Sequence, residues 1–250
     1  MKEFNVVKEV NNIIEFIRYY YKKNNLNGAI IGISGGKDSG VVAALMVMAI
    51  GCENVIGVTL PCYSNKDDLD DAKLISDYYN FKLINYDLDN SYNVLKNTLG
   101  NDEYYAYNSN LNLKPRLRML SLYYLAALYT SKENRNYIVV GTSNKCEKYV
   151  GYFTKGGDSV ADIFPILDYT VSEVIEIGKY LKVPEKVLLK IPSDGLGDLS
   201  DEEKLGVKYS DIEKYFIDKN SVSDDIRKRI DYLHKINNHK NKLNYYRRLR

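Results

Sequence analysis

Ala29-Ile30-Ile31-Gly32-Ile33-Ser34-Gly35-Gly36-Lys37-Asp38-Ser39 is the stretch from which the rest of the chain is read. Its first five residues form a short apolar run rich in β-branched side chains, which predicts a buried strand over 29–33. A glycine-rich turn follows, and then an apolar stretch, 39–50, that predicts a helix stopped by Gly51. Between a strand and a helix start, backbone N–H groups and the helix N-terminus together bind phosphate. Gly35 and Gly36 let the main chain approach an anion, and Ser34 and Ser39 add hydroxyl donors. The turn is not a Walker A loop: Gly32 is followed five places on by Lys37 rather than glycine, and no Gly-Lys-Ser/Thr triplet exists. Asp38 is the odd member. A carboxylate inside an anion site repels phosphate unless a cation lies between them, which implies magnesium. The plainer reading, a glycine bend with Asp38 capping a helix, is disfavoured by the strand before and the helix after.

Outward from this unit the alternation continues. Residues 54–60 and 137–140 repeat the buried-strand pattern and 82–86 read as a further strand, with helices expected over 67–79 and about 114–130. A helix with apolar positions Val6, Val10, Ile13, Ile14, Ile17 and Tyr21 precedes them. Such alternation predicts an α/β chain with a parallel sheet. Residues 144–164 carry little periodicity and two adjacent glycines, as a functional loop does. From Thr170 onward the pattern is helical, ending in a helix over 226–236.

Composition bounds the reading. Hydrophobic residues are 45% and charged residues 27% of 250, enough apolar matter for a sizeable core and against disordered or fibrous classes. Thirty-five basic minus 33 acidic residues leave +2, so bulk charge suggests neither a nucleic-acid nor a membrane partner. Past Asp231 six Lys or Arg and no acid make a local cationic arm. Cys52, Cys62 and Cys146 form an odd set without a CxxC pair, which fits the cytoplasm and disfavours structural zinc. Gly51-Cys52-Glu53-Asn54 cuts the most apolar window short of the ~20 residues a bilayer needs, and the N-terminus lacks a signal-peptide pattern.

Ser34-Gly35-Gly36-Lys37-Asp38-Ser39 at the end of a first strand resembles the pyrophosphate loop of the N-type ATP pyrophosphatases. The segments 113–119, 141–147 and 151–163 stand in the order and at the separations seen in bacterial NAD synthetases, and 192–196, 201–206 and 239–240 extend that likeness over nearly the whole chain. The resemblance to ammonia-dependent NAD synthetases implies a doubly wound five-stranded parallel sheet of order 3-2-1-4-5, flanked by helices and adenine nucleotide alpha-hydrolase-like. It implies one synthetase domain over 1–250 with no glutaminase domain, and a homodimer with substrate sites at the subunit interface. The reaction implied is ATP-dependent amidation of deamido-NAD by ammonia through a nicotinyl adenylate, the last step of NAD biosynthesis.

The same resemblance assigns residues. ATP would be held by Gly32, Ile33, Ser34, Gly35, Gly36, Lys37, Asp38 and Ser39, with Thr142 and Ser193 beside it; deamido-NAD by Arg116, Lys155, Asp162, His239 and Lys240; and magnesium by Asp38 and Glu147. Asp38, Lys155 and Asp158 would be catalytic, with Asp158 holding ammonium before it loses a proton. Read alone, Glu147 is an ordinary loop acid, Arg116 part of a cationic surface turn, and His239 a surface histidine. Two departures stand out: Val171 sits where the family commonly has a phosphate-binding lysine, leaving that charge to Lys37 or Lys155, and Ser193 replaces a threonine. Cys146 reads as an inert thiol, since a catalytic one would want a second cysteine at a fixed loop position. The rival readings are a tRNA-modifying ligase of the same superfamily, served by the cationic tail, and a nucleotide-binding module without turnover.

Overall fold

The computed structural model describes residues 4–100, 107–190, 200–242 and 246. After helix α1 (Val6–Lys23), β1 (Gly28–Gly32) leads through the glycine turn into α2 (Lys37–Ile50). The chain continues through β2 (Val55–Thr59), α3 (Lys66–Tyr79), β3 (Lys82–Asn85), α4 (Asp89–Thr98), α5 (Tyr107–Glu133) and β4 (Tyr137–Val140). The four strands form one parallel sheet of order β3-β2-β1-β4.

Strand periodicity sorts the side chains of β1 and its continuation between two helical layers. Ala29, Ile31 and Ile33 join α1, α2 and the later helix α7 (Val171–Leu181) in one core, whereas Ile30 packs with Ile56, Val58, Val139 and α5 in the other. Both faces of β1 are therefore dry, at about 1.5–3 kcal/mol for each fully buried large aliphatic side chain.

Among the described residues the expected fifth strand is not formed. Ile163 makes a single parallel bridge to Val140, supported by Asp162 N–H to Val139 O at 2.9 Å and Gly141 N–H to Ile163 O at 2.9 Å. Pro165, two residues on, has no N–H to extend the ladder, so four strands replace the five of the sequence expectation. Helix α5 starts at Tyr107 rather than near 114 and carries Pro115 inside it. Within the region read as a loop, α6 (Lys145–Val150) forms because Asn144 and Glu147 close a reciprocal capping box.

The remaining helices, α8 (Glu185–Leu188), α9 (Asp201–Leu205), α10 (Tyr209–Ile217) and α11 (Asp224–Asn237), complete the chain. Leu205, Val207, Tyr209, Ile212 and Ile230 build a third core against Cys146 and Val150 of α6. This core fixes α9 beside the end of β4. No helix among the described residues is long and apolar enough to cross a membrane.

Candidate active site

β2 and β4 lie on opposite sides of β1, so the connections leaving β1 and β4 diverge at their carboxyl ends, where open α/β sheets bind ligands. A cavity of about 590 Å³ occupies that place. Its wall takes Gly32, Ile33, Ser34, Gly36, Asp38 and Ser39 from the glycine turn, and Gly141, Thr142 and Ser143 from the end of β4. Arg118 of α5, Glu147 of α6, Thr154 and Asp158 of the following loop, Asp201 and Lys204 of α9, and Lys240 of the tail close the far side.

The turn is tightly built. Ser39 Oγ donates to Gly36 O at 3.0 Å and accepts from Ser34 N–H at 3.3 Å, and the two serine hydroxyls lie 3.2 Å apart. Gly35 has φ +78°, and a Cβ there would lie 2.3 Å from Asp68 O, so only glycine fits. Gly36 is the N-cap of α2 without a side-chain cap, which leaves the electropositive end of a 14-residue helix facing the cavity.

Behind the turn lies a compact set of charges. Lys37, only 5% exposed, places Nζ 3.1 Å from Asp38 Oδ2 and over the Tyr209 ring, 6.0 Å from its centroid. Lys37 is not part of the cavity wall. Burial pulls its pKa down, but the Asp38, Glu147 and Asp201 carboxylates outweigh it and hold the ammonium protonated. Asn144 joins the two acids expected to share a metal. Its Nδ2 donates to Asp38 Oδ1 at 3.4 Å, while its backbone N–H donates to Glu147 Oε2 at 3.0 Å. Burial, then the adjacent Asp38 carboxylate, push the Glu147 carboxyl well above the ordinary range.

On the opposite wall, Asp158 Oδ1 accepts the Thr154 N–H at 2.8 Å. Asp158 is exposed as a residue, but its carboxyl is drawn toward the loop by that N–H, and desolvation there raises its pKa against the pull of the N–H. Lys240 Nζ donates to Gly151 O at 3.0 Å and Phe153 O at 3.3 Å, strapping the tail onto the same loop. Burial lowers its pKa, opposed by Asp158.

Four of the residues assigned from the sequence to deamido-NAD stand outside the cavity wall. Arg116 is exposed, with Nε donating to Lys155 O at 3.3 Å, and Lys155 is exposed too. Asp162 accepts from Val139 N–H at 2.7 Å and from Tyr123 Oη at 3.4 Å. His239 is exposed beside Ile236 O. Ser193 lies outside the described residues.

Conversely, Arg118, Asp201 and Lys204 are on the wall without having been singled out. In a helix, residues two apart point to nearly opposite sides, so only one of Arg116 and Arg118 can face the cavity, and the sequence carries no sign of which. Val171 opens α7 as a buried core residue beside Cys146, whose thiol burial pushes to about 12. Lys37 and Lys155 do not reach the cavity from their own positions; among the described residues the cations on its wall are Arg118, Lys204 and Lys240.

Residues 9–249 match the family model described as NAD synthase. An NH(3)-dependent NAD(+) synthetase of Carboxydothermus hydrogenoformans is 39% identical over 213 residues, covering 84% of this chain and 85% of that one. Among solved structures, the NMN synthetase of Francisella tularensis superposes with a TM-score of 0.89 at 32% identity, over 99% of this chain and 100% of that one. The NH3-dependent NAD synthetase of Campylobacter jejuni gives 0.79 at 26% identity, over 98% and 100%.

Proposed function

The chain belongs to the NAD synthase family, and on that premise we propose that this cavity amidates deamido-NAD with ammonia at the expense of ATP, yielding NAD, AMP and pyrophosphate. The observation that carries the assignment is that one continuous cavity holds the anion-binding turn, the Asp38–Glu147 pair and the Asp158–Lys240 wall. Both halves of the reaction then share one enclosure.

A carboxylate is a poor acyl donor because its leaving group would be oxide. In the first step its oxygen bonds to the α-phosphorus of ATP, and the bond from that phosphorus to pyrophosphate breaks with its electron pair. The glycine-turn amides and the α2 N-terminus receive that charge, a contribution worth roughly 3–4 kcal/mol per well-aimed donor. Arg118 and Lys204 stand where they can share it, in place of the lysine replaced by Val171. In the second step ammonium held at Asp158 gives up a proton, the ammonia so formed bonds to the acyl carbon, AMP leaves with the C–O electron pair, and the extra proton left on nitrogen passes to solvent. Thr142 at the end of β4 lines the cavity where the nucleotide would sit.

The donor set suits magnesium. The ion prefers six oxygens and is commonly held by one or two carboxylates plus substrate phosphates and water. Asp38 and Glu147, joined by Asn144 and offset by Lys37, supply two such carboxylates. When bound, magnesium would neutralise polyphosphate charge between them.

A second copy of the chain completes the acceptor site in this reading. Arg116, Leu120, Tyr124 and Leu128 recur every fourth residue on one face of α5, with Leu120 62% and Tyr124 66% exposed. Tyr20 of α1 and Tyr123 of α5 both reach Asp162, so the two helices flank the residues that a lone chain leaves outside its cavity. Burying that face in a homodimer would bring Arg116, Lys155 and Asp162 to a shared seam. Tyr124→Glu is expected to convert a dimer to monomers in analytical ultracentrifugation and to raise KM for the acceptor; a variant of unchanged sedimentation excludes this face.

A second acceptor is favoured by a specific observation, the closer superposition on a structure described as an NMN synthetase. Nicotinate mononucleotide presents the same carboxylate, so the chemistry is unchanged and only the far end of the substrate differs. The test is mass-spectrometric product detection with MgATP, an ammonium salt and either acceptor. NAD from deamido-NAD supports the first reading, NMN from the mononucleotide the second. ATP bound without AMP formation under either acceptor overturns both, as does pyrophosphate release stimulated by tRNA alone. The three free thiols accord with a cytoplasmic setting.

A further inference from the structure

Asp201 is a buried acid that the two half-reactions above leave without a task. It is 5% exposed, borders the cavity, and opens α9. Its helix does not need it as a cap: Ser200 and Glu203 form a reciprocal capping box by themselves. Burying a carboxylate is costly unless polar partners meet it, so its presence calls for a reason beyond local structure.

Its contacts supply one. Oδ1 accepts the Tyr152 hydroxyl at 3.1 Å, and Oδ2 lies 3.5 Å from the Tyr209 hydroxyl. Tyr152 begins the loop that carries Thr154 and Asp158, the nitrogen side of the cavity. The Tyr209 ring underlies Lys37, which in turn holds Asp38 Oδ2, the nucleotide side. One carboxylate thus touches the supports of both walls. Its backbone is held rigidly, because Leu205, Val207 and Tyr209 are anchored in the core that also packs α6.

We propose that Asp201 is a positioning residue: through Tyr152 it sets the Asp158 loop, and through Tyr209 and Lys37 it sets Asp38, so that adenylation and ammonia attack occur in register. In this role it acts through those two tyrosines rather than on the reacting atoms. Misplacement of about 1 Å at a reacting centre can cost roughly 100-fold in rate, and the two tyrosine contacts are what resist that shift. The inference rests on the amidation reading and is tested separately from it.

The experiment compares Asp201→Asn, Tyr152→Phe and their double variant with the wild type in two assays, acceptor-dependent ATP–pyrophosphate exchange and amide formation from ammonium, using whichever acceptor the wild type turns over. The expected result is a loss of kcat of at least fivefold for Asp201→Asn in both assays, with KM for ATP within threefold. Tyr152→Phe is expected to slow amide formation more than exchange, and the double variant to fall within twofold of Asp201→Asn, as partners in one contact do. A smaller loss of kcat, a change confined to KM, or losses that multiply in the double variant overturn the proposal. If Asp201→Asn does not fold, judged by thermal unfolding, Tyr152→Phe and Tyr209→Phe decide: slowing of amide formation by the first and of exchange by the second supports it, and two wild-type rates overturn it. A wild type inactive with both acceptors defeats the amidation reading and, with it, this role.

Discussion

Gly35→Ala tests whether the anion-binding turn is held by backbone packing. Gly35 has φ +78°, where an L-residue with a side chain costs roughly 1–2 kcal/mol. The added Cβ would also stand 2.3 Å from Asp68 O, and an ordinary carbon–oxygen contact of about 3.3 Å requires a retreat of about 1 Å. Asp68 cannot yield that distance freely. Its carboxylate is 2.8 Å from Lys190 Nζ, and Lys190 is tied again to the buried Asp71 at 2.6 Å. The turn must therefore move instead, at a combined cost of about 2–4 kcal/mol. For a chain of this size that lowers Tm by roughly 4–16 °C, and the displaced amides should slow pyrophosphate exchange by about 100-fold. Gly36→Ala is the internal control, since φ is −99° and its Cβ would meet only Ser34 Oγ at 3.4 Å; its stability should stay within about 1 kcal/mol of wild type. Calorimetry and the exchange assay give both quantities. A Gly35→Ala protein with wild-type Tm and exchange rate would refute the packing argument.

Asp71 is 1% exposed and lies 2.6 Å from both Lys186 and Lys190, so Asp71→Asn should cost about 3 kcal/mol in urea unfolding at neutral pH. Burial raises its carboxyl pKa but the two lysines win, holding it below the usual value; its stabilisation is present above the unfolded pKa of about 3.9 and lost as pH falls through the folded one, so the variant's acid-side stability curve should be flatter. Glu147 has the opposite sign: raised by burial and Asp38, its contribution is full below about pH 4.3 and is lost as pH rises through the folded pKa. In EDTA the wild type should therefore lose more Tm from pH 5 to pH 8 than Glu147→Gln, and magnesium should restore Tm at pH 8 in the wild type alone; an equal response of both proteins would remove Glu147 from the metal site. Cys146 is fully buried with its thiol pushed to about 12, so Ellman's reagent at pH 8 should leave it unreacted until denaturant is added, and Cys146→Ala should retain turnover; rapid native labelling would contradict this.

Much of this fold is written in local patterns. β1, β2 and β4 are largely apolar, buried runs, and in β1 Ile30 against Ala29 and Ile31 shows the alternation between two helical layers directly. What escaped were features set by single residues or by tertiary context. Pro165 removes the donor a fifth strand would need, and α6 is a six-residue helix whose stability lies in its capping box rather than in periodicity. Pro115 suggested a helix start, yet α5 begins eight residues earlier, at Tyr107. The site divides in the same way. The glycine turn declares itself because strand, glycines and helix are contiguous in sequence, whereas Asp201 and Lys204 reach the cavity only because a core made with α6 carries α9 there.

The position of Lys37 also follows from charge. A lysine in the first turn of a helix opposes the macrodipole, and burying it adds a desolvation cost. Nothing favours that placement unless the surrounding acids need it. Asp38, Glu147 and Asp201 all raise its proton affinity, and each would otherwise confront the others at the mouth of an anion site. By cancelling one of these charges from behind, Lys37 lowers the repulsion an incoming polyphosphate meets while leaving Asp38 on the cavity wall. A cation pointing into the cavity would instead bind phosphate directly and leave the acids uncompensated. The lysine of the motif is thus explained as a counter-charge to Asp38 and Glu147, and under the proposed function the phosphates would be left to the backbone amides, the helix end and the wall cations.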